Sequence, residues 1–244
     1  MTRPSILLSG GVATQIARLS SQVSRNVLFT VADAYRSITL RIVLPGSFSS
    51  PAPLYTGSAT HGPMAPLRLL ALLAHEDDPK KCTAAKLVRL GDISEVTDIA
   101  RVPRRVIVLD PEAEKALSRE DIGSAERFGV LVLDCSWNKL SKFPRLRAGM
   151  QHRALPFMIA ANPTNFGKAQ RLSSAEALAA AAYILGDRVR AEQLMNRFKW
   201  GPTFIDINRE RLDEYAAATT SGEVVSAQSR MLDAVKRGKD ANTD

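Results

Sequence analysis

An α/β fold with a mostly parallel sheet, followed by a helical C-terminal part, is what this sequence predicts. After Pro66 the chain falls into short apolar runs that each end in a small or polar turn residue, as parallel strands buried on both faces do. Helical stretches alternate with these runs, the order of a βαβ sheet domain. The last third opens on a strong helix-start signal and stays helical.

In chain order, strands are expected at Leu67 to Ala74, Arg105 to Asp110, Val130 to Cys135 and Phe157 to Asn162. Helices are expected at Cys82 to Leu90, Pro111 to Leu117 and Trp137 to Met150. In such sheets ligands bind beyond the carboxyl ends of the strands, and three of these strands end in Asp110, Asp134 and Asn162. Ser173-Ser174-Ala175-Glu176 is a capping box opening onto the alanine-rich run Ala177 to Leu185, which Gly186 stops. A second amphipathic helix is expected from Asp187 to Phe198, then a turn at Trp200-Gly201-Pro202 and a helix from Asn208 to Tyr215. The polar remainder, Ala216 to Asp244, has one weakly helical patch at Arg230 to Lys236 and is expected to be mobile.

Composition bounds the function. With 45% apolar and 24% charged side chains over 244 residues, the chain has the balance of a globular protein rather than a collagen-like, mucin-like or wholly disordered one. No apolar run approaches the roughly 20 residues that span a bilayer. The N-terminus lacks a signal-peptide pattern, so the expectation is a chain that neither spans a membrane nor is secreted. Cys82 and Cys135 offer no CxxC, which fits a reducing cytoplasm. His61, His75 and His152 have no metal-ligand spacing, so no metal is expected. There is no G-x-G-x-x-G and no G-x-S-x-G, and Phe166-Gly167-Lys168-Ala169 lacks the first glycine and the Ser/Thr of a P-loop.

Residues 1–66 hold ten serines, six threonines, six prolines and five arginines, but no lysine and one acid, Asp33. They form an extension ending in a Pro/Gly/Ser linker, Pro45 to Pro66. Three explanations compete: an accessory segment, a targeting-like leader, or translated sequence upstream of a start at Met64, the one favoured here. The expected organisation is thus this extension, a domain at 67–216 and a polar tail at 217–244.

The formal net charge is +8, which points to a polyanionic partner. The charge is concentrated. From Cys135 to Ala175 there is no acid, while Lys139, Lys142, Arg145, Arg147, Arg153, Lys168 and Arg171 all fall there. A solvated cationic face would explain that run equally well. Elsewhere, helix starts with exposed N–H groups, an acid and an indole would suit a small polar ligand with an aromatic or sulfonium part. Taken singly, Trp137 reads as core, Asp134 as a helix cap, Pro111 as a first helical residue and Ser173 as a cap. Only their coincidence on one edge argues for a site.

Five ordered blocks resemble the aminocarboxypropyltransferases of small-subunit ribosomal RNA found in archaea and eukaryotes. They are DDPKKCTAAKLVRL (Asp77 to Leu90), LDP (Leu109 to Pro111), DCSW (Asp134 to Trp137), RALPFMIAANPTNFGKAQRLSSAEALAAAAYILG (Arg153 to Gly186) and FKWGPTFIDIN (Phe198 to Asn208). The resemblance implies a SPOUT-like domain with a deep trefoil knot, which periodicity alone does not suggest. It also implies transfer of the 3-amino-3-carboxypropyl group of S-adenosylmethionine to N3 of an (N1-methyl)pseudouridine in small-subunit rRNA, releasing methylthioadenosine. By the same resemblance, Trp137 packs near the methyl and sulfonium, and Leu109, Pro111 and Leu155 line the adenine slot. Thr83 and Ser174 hold the ribose and amino-acid part. Asp134 binds the cofactor or takes the N3 proton, and binding is favoured because a carboxylate is a weak base for that proton. Lys139, Lys142, Arg145, Arg147, Lys168 and Arg171 become candidate phosphate contacts to the rRNA or the pre-ribosomal small subunit. Of the family's N-terminal motif only His75 and Cys82 remain, too few for a closed metal site. No obligate protein partner is expected. The competing readings are a SPOUT-type RNA methyltransferase and a non-catalytic rRNA-binding assembly factor.

Overall fold

The computed structural model describes residues 67–73, 82–134 and 148–240. Five strands, β1 (Leu69–Leu73), β2 (Ser94–Val96), β3 (Ile107–Leu109), β4 (Val130–Asp134) and β5 (Gln151–Arg153), form one sheet in the order β2-β1-β4-β3-β5. Every pairing is parallel. The two central strands carry the apolar runs LLALL and VLVLD, buried on both faces over most of their length.

Side chains alternate between two apolar layers. Leu69, Ala71, Ile107, Leu109, Val130 and Val132 belong to the main core, together with the helices. Leu70, Val108 and Leu131 point to a smaller cluster with Val96, Val102, Val106 and Met150. Gly129, just before β4, has φ +90°, and a Cβ there would lie 2.6 Å from the Arg68 carbonyl oxygen. Only glycine lets β4 start this close to β1.

The helices are α1 (Thr83–Arg89), α2 (Ile122–Phe128), α3 (Ser174–Ile184), α4 (Arg188–Met195), α5 (Gly201–Ala217) and α6 (Ser221–Asp240). Nearly all of α3 is buried, which its run of alanines allows by letting neighbouring elements approach closely. Its capping box forms as the sequence predicts, Ser173 capping and Glu176 reaching back.

Several expectations are corrected. Pro111 to Leu117 is not a helix. Asp110 closes a turn instead, and Leu117 N–H donates to the Ala154 carbonyl at 2.9 Å while Ala154 N–H donates to Lys115 at 2.8 Å. Extended pairing across the chain therefore wins over local helix propensity.

Phe157 to Asn162 is not a strand either. It is a buried loop whose backbone is satisfied at alternate positions by side chains: Gln228 accepts from Phe157 N–H at 2.7 Å, Asn208 brackets Ile159 at 2.9 and 2.8 Å, and the Tyr215 hydroxyl donates to the Phe157 carbonyl at 3.0 Å. The run is apolar because it is buried, and it stays outside the parallel sheet, its remaining backbone bonds going from Met158 and Ala160 to the short arm at 167–170.

The last strand is β5, whose polar sequence QHR gave no signal. It is anchored sideways by Gln151 to Ser124 at 3.2 Å and by Arg153 to buried Asp121 at 2.8 Å. The third corrected region follows Ala217. There α6 buries Val224, Ala227, Gln228 and Leu232, a helical stripe hidden by polar composition. The expected turn at Trp200-Gly201-Pro202 is the N-cap and start of α5, which begins well before Asn208 and ends at Ala217, just past Tyr215. The helix expected at Trp137 to Met150 and the extension at 1–66 lie almost wholly outside the described residues.

Candidate cofactor site at the sheet edge

The connection after β1 leads toward β2, and the one after β4 leads toward β5, on the opposite side of the sheet. The crevice between β1 and β4 is thus a topological switch point, where open parallel sheets bind their ligands. Asp134, the last residue of β4, lies there opposite Leu73 of β1.

Two helices begin beside it. The Cys82 thiol caps α1, its Sγ accepting from Ala85 N–H at 3.1 Å. It also donates to Asp134 Oδ2 at 2.8 Å. The Ser174 hydroxyl, in the first turn of α3, donates to Asp134 Oδ1. Ala175 N–H donates to Thr83 Oγ1 at 3.3 Å, joining the two helix starts directly. Half-buried Asp134 therefore has both oxygens held, close to the positive ends of two helices.

Cys82 was absent from the sequence-derived site. Burial, with the Asp134 carboxylate adding to it, pushes its thiol pKa up to about 11, so it remains a donor. The folded thiol keeps its proton up to about 11 against an ordinary 9.0, so this stabilisation is complete below pH 9 and fades as pH climbs toward 11. In a Cys135→Ser background, Cys82 should resist iodoacetamide at about pH 8 until the protein is unfolded. Native labelling as fast as that of a free thiol would contradict this environment.

Behind the polar cluster, Glu176 is fully buried. Its Oε1 accepts from the N–H groups of Ala161 at 2.7 Å and Asn162 at 3.0 Å. Its Oε2 accepts from the Asn162 amide at 2.7 Å, Ser173 N–H at 2.7 Å and the Ser173 hydroxyl at 2.8 Å. One carboxylate thus fastens the 160–162 loop to the start of α3. The capping box announced the bonds to Ser173, but nothing local announced those to the loop.

The other expected residues distribute as follows. Leu109 is buried at the end of β3, and Leu155 is half-buried against the main core with Leu73. Pro111 is exposed two positions beyond Leu109; between them Asp110 meets His152 Nδ1 at 2.7 Å. Lys168 is exposed and donates to Asn165 Oδ1 at 3.3 Å, and Arg171 is partly buried, its carbonyl accepting from Asn162 at 3.1 Å. Arg153 is spent on Asp121. Trp137, Lys139, Lys142, Arg145 and Arg147 lie outside the described residues. Among the described residues no group of three or more His, Cys, Asp or Glu side chains could hold a metal ion.

Fold and topology together define an α/β protein with a parallel sheet and a candidate ligand site at its switch point. Comparison with known proteins narrows this. The family model described as "Ribosome biogenesis protein, C-terminal" matches residues 107–232. The 16S rRNA aminocarboxypropyltransferase of Methanopyrus kandleri is 49% identical over 165 residues, 67% of this chain and 98% of that protein. The enzyme of the same name from Methanosphaera stadtmanae is 44% identical over 167 residues, 68% of this chain and 98% of its own. Among solved structures, the SAM-dependent rRNA:acp-transferase from Vulcanisaeta distributa superposes with a TM-score of 0.61 at 36% identity, covering 70% of this chain and 98% of that one. The chain belongs to the family of 16S rRNA aminocarboxypropyltransferases.

Proposed function

We propose that this chain transfers the 3-amino-3-carboxypropyl group of S-adenosylmethionine to small-subunit rRNA during ribosome biogenesis. The acceptor is N3 of an (N1-methyl)pseudouridine in the decoding region, and methylthioadenosine is released. The observation that carries this reading is the convergence of α1, α3 and Asp134 at the switch point of a chain that shares nearly half its residues, over the matched length, with enzymes of that name.

The residues present fit S-adenosylmethionine. Hydroxyls, a carboxylate and two helix starts suit its charged amino-acid part and cationic sulfur, and Leu109 and Leu155 supply an apolar wall for adenine. When bound, it supplies a sulfonium that makes the neighbouring carbons electrophilic.

Thr83 and Ser174 hold the ribose and amino-acid part, and Leu109, Pro111 and Leu155 line the base. Trp137 covers the methyl, so that the acceptor reaches only the side-chain carbon. Asp134 places negative charge near the sulfur. Its two oxygens already accept hydrogen bonds, and a carboxylate is a poor base for an imide proton, which favours binding over proton abstraction.

Lys139, Lys142, Arg145, Arg147, Lys168 and Arg171 contact rRNA phosphates. The domain is SPOUT-like and knotted, and works in the cytoplasm without an obligate protein partner. Among the described residues no helix is long and apolar enough to cross a membrane.

Incubation with unmodified small-subunit rRNA and S-adenosylmethionine, labelled separately in its carboxyl and methyl carbons, tests the reaction. Carboxyl label alone should enter RNA. Methyl label in RNA would instead make the protein a methyltransferase, and RNA binding with neither label would favour an assembly factor.

A further inference from the structure

Phe166 is 54% exposed, and it is the one exposed aromatic among the described residues. Its neighbours in the chain explain why it holds that position. The arms around it pair in antiparallel fashion: Ala160 N–H donates to the Lys168 carbonyl at 3.0 Å, Gly167 N–H to Ala160 at 2.8 Å and Gln170 N–H to Met158 at 2.9 Å. Gly167 takes φ +76° to close the tip, and Asn162 Oδ1 accepts from Asn165 N–H at 3.0 Å. Where the chain enters the tip, Ala161 and Asn162 are fastened by buried Glu176 to Ser173, one residue before Ser174, whose hydroxyl reaches Asp134.

The loop is therefore held where it enters its tip, presents a bare aromatic face there, and is tied through Glu176 to the helix start from which Ser174 reaches Asp134. A large apolar side chain held out in water by such a framework has no role in the core. Leu90 and Val189, the other exposed large apolar residues, sit on helix ends without comparable scaffolding. Lys168, two residues on, is exposed and steadied by Asn165. An aromatic plane beside a cation, on a chain of net charge +8, suits one kind of partner: a single-stranded stretch of RNA, whose unstacked base covers the ring while its phosphate meets the ammonium.

We propose that Phe166 is a stacking platform for an unpaired base of the rRNA substrate, with Lys168 contacting the adjoining phosphate. This rests on the transferase reading above and adds how the acceptor strand is held beside the crevice. Stacking is indifferent to base identity, so the pair positions the strand and leaves specificity to the shape of the RNA.

The test uses the full chain and a small-subunit rRNA fragment containing the decoding-region hairpin. Phe166→Ala should raise both the Kd and the KM for this RNA about tenfold, with Phe166→Trp restoring them. The affinity for S-adenosylmethionine, the melting temperature and the salt dependence of RNA binding should not move. Lys168→Ala should instead flatten the salt dependence by about one phosphate contact. If the wild-type protein modifies the RNA and Phe166→Ala does so with unchanged Kd and KM, the platform is refuted. Loss rescued by neither Trp nor Tyr would equally refute it, pointing to a shape contact with protein or to loop damage. A wild-type protein that transfers no label, yet binds RNA in a Phe166-dependent way, would sink the transferase reading and leave the platform standing.

Discussion

Glu176→Ala is expected to cost about 3–5 kcal/mol of stability, a large part of what an average domain possesses. The side chain is completely buried and accepts five hydrogen bonds, from Ala161, from the backbone and amide of Asn162, and from the backbone and hydroxyl of Ser173. Truncation leaves those donors facing a cavity, and an unsatisfied buried donor forfeits its full desolvation cost. Glu176→Gln should help little, because half of its terminal group becomes a donor turned toward donors. Urea unfolding of the three proteins measures the difference. A loss below about 1 kcal/mol would mean that the hairpin and the start of α3 are held by something other than this carboxylate. Because Ser174 follows Ser173 directly, the partly folded variants should also bind S-adenosylmethionine weakly.

Legibility in the sequence followed a physical division. Strands β1, β3 and β4 announced themselves as short runs of branched apolar residues, and α3 through its capping box, because in each case the signal is local and the burial two-sided. The edge strand β5 has no apolar pattern to show. It is held by parallel pairing with β3 on one side and by long polar side chains reaching to α2 and its approach. The opposite error occurred at Phe157 to Asn162, where an apolar run marks burial outside the parallel sheet, its backbone bonds divided between the short arm at 167–170 and Asn208, Tyr215 and Gln228 many positions later. Helix α6 was missed because its buried stripe is thin, with a glutamine and an alanine where a stronger pattern has leucines. At the site, the Ser174 hydroxyl reaches Asp134, and Thr83 bonds the adjacent Ala175 N–H. Cys82 and Asp134 are 52 positions apart, and only the parallel order of β1 and β4 brings the start of α1 to the end of β4.

Asp134→Asn should lower kcat/KM for transfer about 100-fold and weaken S-adenosylmethionine binding, without appreciable loss of stability because the side chain is only half-buried. The amide keeps the size of the carboxylate but not its charge, so attraction to a sulfonium disappears. It also turns one NH2 toward a group that now donates to Asp134, either the Cys82 thiol or the Ser174 hydroxyl, and so disturbs the joint between α1 and α3. Two companions separate charge from scaffolding. Cys82→Ser keeps a donor and an acceptor at the cap and should remain within a few-fold of wild type. Cys82→Ala loses both the bond to Asp134 and the cap on Ala85, a change of about tenfold in S-adenosylmethionine affinity at most. Isothermal titration with S-adenosylmethionine and single-turnover transfer to rRNA measure the two effects independently. If Asp134→Asn retains both affinity and rate, Asp134 neither binds nor acts on the substrate, and the paired helix starts alone must carry the site. If affinity holds while rate collapses, Asp134 acts in the chemical step, as acceptor of the N3 proton rather than as partner of the sulfonium, and the binding role argued above is wrong.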